Sequence, residues 1–178
     1  MRVFFALEPD PATLLQISSW RDRQFTHAGH AVPAANLHLT LAFVGEIRPH
    51  ALEKLCMTVD QRMARDCPRG ASIRLDITGY WPKPGIYWLG AQNVPGELRS
   101  LVQPLANLAA ATGAKRDRKA FQPHITLFRQ CTVAPPAPAV PPAFELNYLH
   151  FTLFESKQGK RGVSYQPLHS WELLPPAQ

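Results

Sequence analysis

The chain has 178 residues, 46% of them apolar, with a formal net charge of +6 and a sequence pI near 9.5. That length allows one sizeable core or two small lobes sharing an interface, excludes two ordinary independent domains, and its basic balance favours a polyanionic partner. Three cysteines, Cys56, Cys67 and Cys131, are odd in number and lack C-x-x-C spacing, which argues against a disulfide framework or a zinc site and for a reducing, cytoplasmic setting.

Met1 to Pro9 holds an apolar run, Val3 to Leu7, too short for a signal-peptide core and closed by Glu8 and Pro9; it reads as a buried strand. Nothing reaches a membrane-spanning length. Pro11 opens a helix carrying Leu14, Leu15, Ile17 and Trp20, followed by a polar loop with His27, Gly29 and His30. Leu37 to Val44 alternates as a strand that Gly45 ends, and Pro49 opens a helix with Leu52, Leu55, Cys56, Val59 and Met63 on one face.

Ser72 to Tyr80 alternates as one strand, and Ile86 to Ala91 follows the Pro82-Lys83-Pro84-Gly85 turn to make a hairpin. Pro95 starts a helix through Leu98, Leu101, Leu105 and Leu108 that closes near Gly113. A basic stretch, Lys115 to Lys119, leads to a strand at His124. Five prolines at 135, 136, 138, 141 and 142 make 133–142 a stiff extended connector. Phe144 to Glu155 and Val163 to Leu173 alternate again as strands. The order predicts an α+β fold with helices packed outside mainly antiparallel sheets.

Within these strands a short pattern repeats: His38-Leu39-Thr40-Leu41 and His124-Ile125-Thr126-Leu127. On an extended chain the His and Thr share one face and the aliphatic residues the other, so the apolar face enters a core and the polar pair fronts a cleft. With seven His in the chain, composition supplies about a third of one chance H-x-T match, so a single copy carries little weight. A third copy, His150-Phe151-Thr152-Leu153, fits the same template, and periodicity does not choose among the three. The flanks help: His38 precedes a Gly-terminated strand end and His124 follows a proline and a basic stretch, both suited to a cleft rim, whereas His150 lies mid-strand among Leu146, Tyr148 and Phe154 and reads as packing or groove lining.

Two imidazoles with ordinary pKa near 6.5 can be one neutral and one protonated near neutral pH. One then activates water against a cyclic phosphodiester and the other protonates the departing ribose oxygen, each contributing on the order of 10² to 10⁴ in rate. The two Thr hydroxyls suit the non-bridging phosphate oxygens. Arg129 could clamp a phosphate, but strict alternation groups it with Ile125 and Leu127, so reaching the cleft requires a bulge or a twist.

Arg2-Val3-Phe4-Phe5-Ala6-Leu7, Asn36 to Glu46, Trp88-Leu89-Gly90, Pro123 to Arg129 and Tyr165-Gln166-Pro167-Leu168 together resemble the bacterial RNA 2′,3′-cyclic phosphodiesterases. These are also called 2′-5′ RNA ligases and form a branch of the two-histidine phosphoesterase superfamily. The resemblance implies a two-lobed α+β fold over 1–178, with two antiparallel sheets forming a central groove and helices outside. It makes His38 the proton donor, His124 the proton acceptor, Thr40 and Thr126 phosphate ligands, and Arg129 the arginine that follows the second motif. The implied reaction opens RNA 2′,3′-cyclic phosphate ends to 2′-phosphomonoesters without metal or other cofactor, and relatives run the same chemistry with an RNA 5′-hydroxyl to make 2′-5′ linkages. The expected partner is RNA, tRNA fragments included, and the expected form is a cytoplasmic monomer with no membrane association.

Phe43, Tyr165 and His150 are candidate substrate contacts, and Trp81 and Tyr148 candidate base platforms. Phe128, bulky where relatives carry a small residue, is expected to narrow the groove. Lys115, Arg116, Arg118 and Lys119 are candidates for flanking phosphates. His27 and His30 form an H-x-x-H pair that no neighbouring ligand completes, and they read as a mobile loop. Two other readings stay open: a phosphodiesterase for small cyclic nucleotides, and a non-catalytic module that grips RNA ends.

Overall fold

A computed structural model describes residues 1–114, 120–160 and 162–177. Strand β1 (Arg2–Leu7) runs into helix α1 (Pro11–Gln24). The Asp10 side chain caps that helix by accepting from the Thr13 amide at 3.0 Å and the Thr13 hydroxyl at 2.7 Å, with Pro11 in the first turn. Short β2 (His30–Ala31) and a 3-10 turn (Ala34–Asn36) precede β3 (Leu39–Glu46). Helix α2 (Pro49–Asp66) ends on Cys67 in the left-handed region, φ 43°. Strands β4 (Ala71–Leu75), β5 (Ile77–Trp81) and β6 (Ile86–Gly90) lead to α3 (Gly96–Ala111), then β7 (His124–Arg129), β8 (Phe144–Tyr148), β9 (His150–Gly159) and β10 (Gly162–Glu172).

The large antiparallel sheet runs β10-β9-β1-β3-β7-β6-β5, with β2 also paired to β7, and β4 and β8 make a second, two-stranded sheet. The two motif strands are therefore central neighbours. They meet at the pair Leu39–Ile125, where the half built on β1, β3, β9 and β10 joins the half built on β5, β6 and β7. Leu39, Leu41, Ile125 and Leu127 enter one continuous core with Leu98, Leu101, Leu105 and Ala109 of α3, so helix covers one face of the sheet. The opposite face of the first half carries a separate apolar cluster, Phe4, Ala6 and Phe154 with Tyr165 packed on it. That second face is the groove.

Two stretches expected as single strands are each two. Ser72 to Tyr80 breaks at Asp76: β4 pairs with β8, while β5 pairs with β6 in the large sheet. The Asp76 amide donates to the Gly90 carbonyl at 2.9 Å and its carboxylate accepts from the Gln92 amide at 3.0 Å, which pins the crossing. Phe144 to Glu155 breaks at Leu149, whose carbonyl accepts from the Leu173 amide at 2.8 Å. Gly45 does not end its strand: pairing continues to Glu46 across an irregularity, with Gly45 at φ 82°. The 133–142 segment forms neither helix nor strand, and Val140 ties it to α1 by accepting from the Trp20 indole and donating to the Gln24 side chain, both at 2.9 Å.

Candidate active site

Because β3 and β7 are antiparallel and meet at Leu39–Ile125, His38 lies abreast of Thr126 and Thr40 abreast of His124. Each imidazole thus faces the other motif's hydroxyl. The two rings are held alike: His38 Nδ1 lies 2.7 Å from the Asn36 carbonyl oxygen, and His124 Nδ1 lies 2.9 Å from that of Gln122. A carbonyl only accepts, so each Nδ1 carries the proton and donates, which leaves Nε2 as the exchanging nitrogen. Among the described residues neither the Thr40 nor the Thr126 hydroxyl has a hydrogen-bond partner.

Aromatic rings wall both imidazoles. His38 packs against Phe4, ring centroids 5.0 Å apart, and edge-on against Tyr165 at 4.8 Å. His124 packs edge-on against Trp81 at 4.6 Å and lies 6.2 Å from Trp88. Trp88 stands beside Thr126 across β6 and β7 and lies flat over Gly79, where an added Cβ would meet its ring at 2.1 Å. Desolvation disfavours the charged imidazole. Burial pushes His38 down to about 4, with the positive charges of Arg129 and His124 adding to it against the pull of the Asn36 carbonyl. His124 is lowered as well, by burial first and Arg129 in addition, against the Gln122 carbonyl.

Arg129 reaches the groove through a bulge. Trp88 pairs with Thr126 but Tyr87 with Phe128, so Leu127 is the extra residue and the alternation reverses after it. The first motif does the same at Leu41, where Ala6 pairs with Thr40 and Phe5 with Ala42. In both motifs the residue three after the Thr returns to the groove face: Phe43, 61% exposed and 6.0 Å from the Phe4 ring, and Arg129. The same reversal turns Phe128 inward against Phe25 and Tyr87 and under the Arg21 guanidinium, 5.7 Å from its ring. It does not narrow the groove.

Of the other residues singled out, Tyr165 lies on His38 as described, and Tyr148 is buried in the core, not a platform. His150 opens β9, exposed and opposite Glu172. The Thr152 hydroxyl of that third copy is taken by Ser170 at 2.7 Å, so this copy is structural at its Thr and does not join the pair. His30 is part of β2, paired with Arg129, and not a free loop. The basic stretch at 115–119 lies outside the described residues. Sequence patterning gave no site role to Phe4, Phe154, Trp88 or the two carbonyls behind the imidazoles; Phe4, Asn36 and Trp88 fell within stretches that carry the resemblance, and Phe154 and Gln122 did not.

Residues 9–156 match the family model of the 2′-5′ RNA ligase superfamily. The chain belongs to that superfamily. It is 36% identical to the RNA 2′,3′-cyclic phosphodiesterase of Escherichia coli K12, over 97% of this chain and 96% of the relative. The enzyme of the same name from Thermus thermophilus is 33% identical over 97% of this chain and 90% of its own length. The crystal structure of E. coli LigT complexed with 3′-AMP superposes with a TM-score of 0.87 at 35% identity, covering 97% of both chains. The fold of that LigT structure therefore extends over nearly all of this chain.

Proposed function

We propose that this chain hydrolyses RNA 2′,3′-cyclic phosphodiester ends to 2′-phosphomonoesters, with His38 as proton donor and His124 as proton acceptor. The observation that carries the proposal is the crossing at Leu39–Ile125, beside which lie two Nε2-presenting imidazoles and two Thr hydroxyls that have no partner among the described residues. In the proposed step, water attacks phosphorus and gives a proton to His124 Nε2. The P–O3′ bond breaks, and O3′ takes the proton of His38 Nε2. Thr40 and Thr126 donate to the non-bridging oxygens as charge grows there, and Arg129 adds fixed positive charge further along the same face. An RNA 5′-hydroxyl in place of water gives the 2′-5′ linkage by the same proton movements. No cofactor enters these steps.

The donor assignment follows the superfamily pattern, and the electrostatics add a condition. In the free groove burial and then the charges of Arg129 and His124 weigh against protonating His38. The anionic cyclic phosphate, seated between the rings, favours a charged imidazole on the side of the leaving oxygen, so the proton of the pair rests on His38 Nε2 and His124 Nε2 stays free to accept one from water. Phe43 and Tyr165 flank this point as base contacts. The working form proposed is one two-lobed unit acting as a cytoplasmic monomer on RNA ends, tRNA fragments among them; among the described residues no helix is long and apolar enough to cross a membrane.

An oligoribonucleotide ending in 2′,3′-cyclic phosphate, incubated in EDTA with the wild type, His38→Ala and His124→Ala, tests the reading. Turnover by the wild type and its near loss in both variants, with RNA binding retained, is the expected result. Binding without turnover by the wild type would instead identify a module that grips RNA ends, and turnover of nucleoside cyclic phosphates alone a small-nucleotide phosphodiesterase.

A further inference from the structure

His30 belongs to none of the chemistry above, yet the sheet puts it in the groove. It pairs directly with Arg129 across β2 and β7, and directly opposed residues in an antiparallel pair project to the same face with Cβ atoms about 5 Å apart. Arg129 is on the groove face, since the extra residue Leu127 reverses the alternation and returns it to the face of Thr126. The His30 side chain is therefore on that face too, one strand over. It is exposed, and its Nδ1 is engaged by the Gln130 side-chain amide oxygen, which the left-handed backbone of Gln130, φ 56°, brings round at the strand end. Nε2 is left for a ligand, the arrangement already seen at His38 and His124.

Order along the groove gives this third imidazole its use. Thr126 stands abreast of His38, and three residues further along β7 come Arg129 and then, beside it, His30. At about 3.3 Å per strand residue, Arg129 lies roughly 10 Å beyond Thr126 before its side chain reaches back. Among the described residues neither Arg129 nor His30 has a carboxylate partner. A guanidinium without a counter-ion, beside an imidazole whose Nε2 also donates once an anion draws a proton to the ring, lies a short distance from the reacting phosphate on one continuous face and suits a second phosphate of the same strand. Phe43, which occupies the matching place after the first motif, offers a ring there and no charge.

We propose that His30 and Arg129 form a second phosphate position, which holds the phosphodiester next to the cyclic phosphate in an RNA strand. This rests on the function proposed above and adds the direction in which the strand leaves the site: along β7 toward β2. A nucleoside 2′,3′-cyclic monophosphate lacks that phosphodiester and gains nothing from His30. A trinucleotide with the same 3′-terminal nucleotide does.

The test compares these two substrates in wild type, His30→Ala and His30→Lys, with kcat and KM resolved and the salt dependence recorded. A lost charge-assisted contact is worth about tenfold or more. The expected result is that His30→Ala raises KM for the trinucleotide about tenfold and leaves kcat/KM for the mononucleotide within about twofold. His30→Lys should restore the trinucleotide KM and, relative to His30→Ala, steepen the fall of log kcat/KM with log salt by about 0.7, the increment for one neutralised single-strand phosphate. Equal losses on both substrates would make His30 a structural residue, and no loss on either would remove it from the groove; both overturn the second position. If the wild type turns over neither substrate, the failure lies with the proposed function instead.

Discussion

The two halves of the groove differ in their walls far more than at their centre. Each half offers a histidine whose Nδ1 donates to the carbonyl two residues earlier, a Thr two residues later, and a bulge directly after that Thr. Around this shared centre the first half packs Phe4 and Tyr165, the second Trp81 and Trp88, and at the place where the first presents Phe43 the second presents Arg129. What is alike suits the proposed proton exchange, in which one ring gives a proton and the other accepts one. What differs gives the groove a direction: aromatic toward one end, cationic toward the other.

The likeness predicts the largest effects. His38→Ala and His124→Ala should each lower kcat on the order of 10² to 10⁴, and the double variant should fall little below either single one, since the rings act as one unit. Single-turnover rates on a cyclic-ended oligonucleotide check this; full additivity would separate the rings into independent contributors. Next in size are the residues that break the likeness. Arg129→Ala should lower kcat/KM by about tenfold to a hundredfold, and Arg129→Lys should not restore it fully, because the fork is lost. Phe43→Ala should instead raise KM by about fivefold or more with kcat kept, the loss of one stacked base. If the two variants shift the same kinetic constant, the groove has no such direction.

Arg129 also links the comparison to pH. The free enzyme needs one imidazole charged and one neutral, and burial and Arg129 lower both, His38 to about 4. The maximum in kcat/KM is therefore expected between about 4 and the ordinary histidine value near 6.5, falling above it as the remaining proton is lost and below it as both rings charge. Arg129→Ala removes a cause of the lowering and should move both limbs to higher pH. The same shifts have a stability consequence: with folded values below the unfolded one, burial of the neutral rings contributes fully above about 6.5 and is lost as pH falls toward about 4, so the thermal midpoint should drop across that window. His150→Ala closes the series with a change of less than about twofold, its copy of the motif having spent its Thr on Ser170. A loss as deep as that of His38→Ala would mean that His150 belongs to the working pair.

How much of this was legible beforehand depends on what alternation reports. It reports which face a side chain takes, so β3, β7 and the sharing of a face by His38 with Thr40 and His124 with Thr126 could be read directly, while β1 showed as an unbroken apolar run. It is silent on which strand lies alongside. Ser72 to Tyr80 and Phe144 to Glu155 keep their pattern while the backbone passes from the small sheet to the large one at Asp76 and Leu149, so both read as unbroken. It also fails at a bulge, where one extra residue reverses the faces: Phe128 appeared to point into the groove and is core, while Arg129 appeared to be excluded and is in it. The carbonyls of Asn36 and Gln122 leave no trace in residue type, since any residue supplies one. Pro11, Pro49 and Pro95 marked the helix starts because a fixed φ and a missing donor suit a first turn wherever it occurs.

The most direct measurement follows phosphorus. A short RNA ending in 2′,3′-cyclic phosphate, treated with the protein in EDTA and monitored by 31P NMR, should convert its cyclic resonance into that of a terminal 2′-phosphomonoester, the product of breaking P–O3′ between the His38 and His124 rings. A 3′-phosphomonoester, or a cyclic resonance unchanged until a divalent metal is added, would contradict the account.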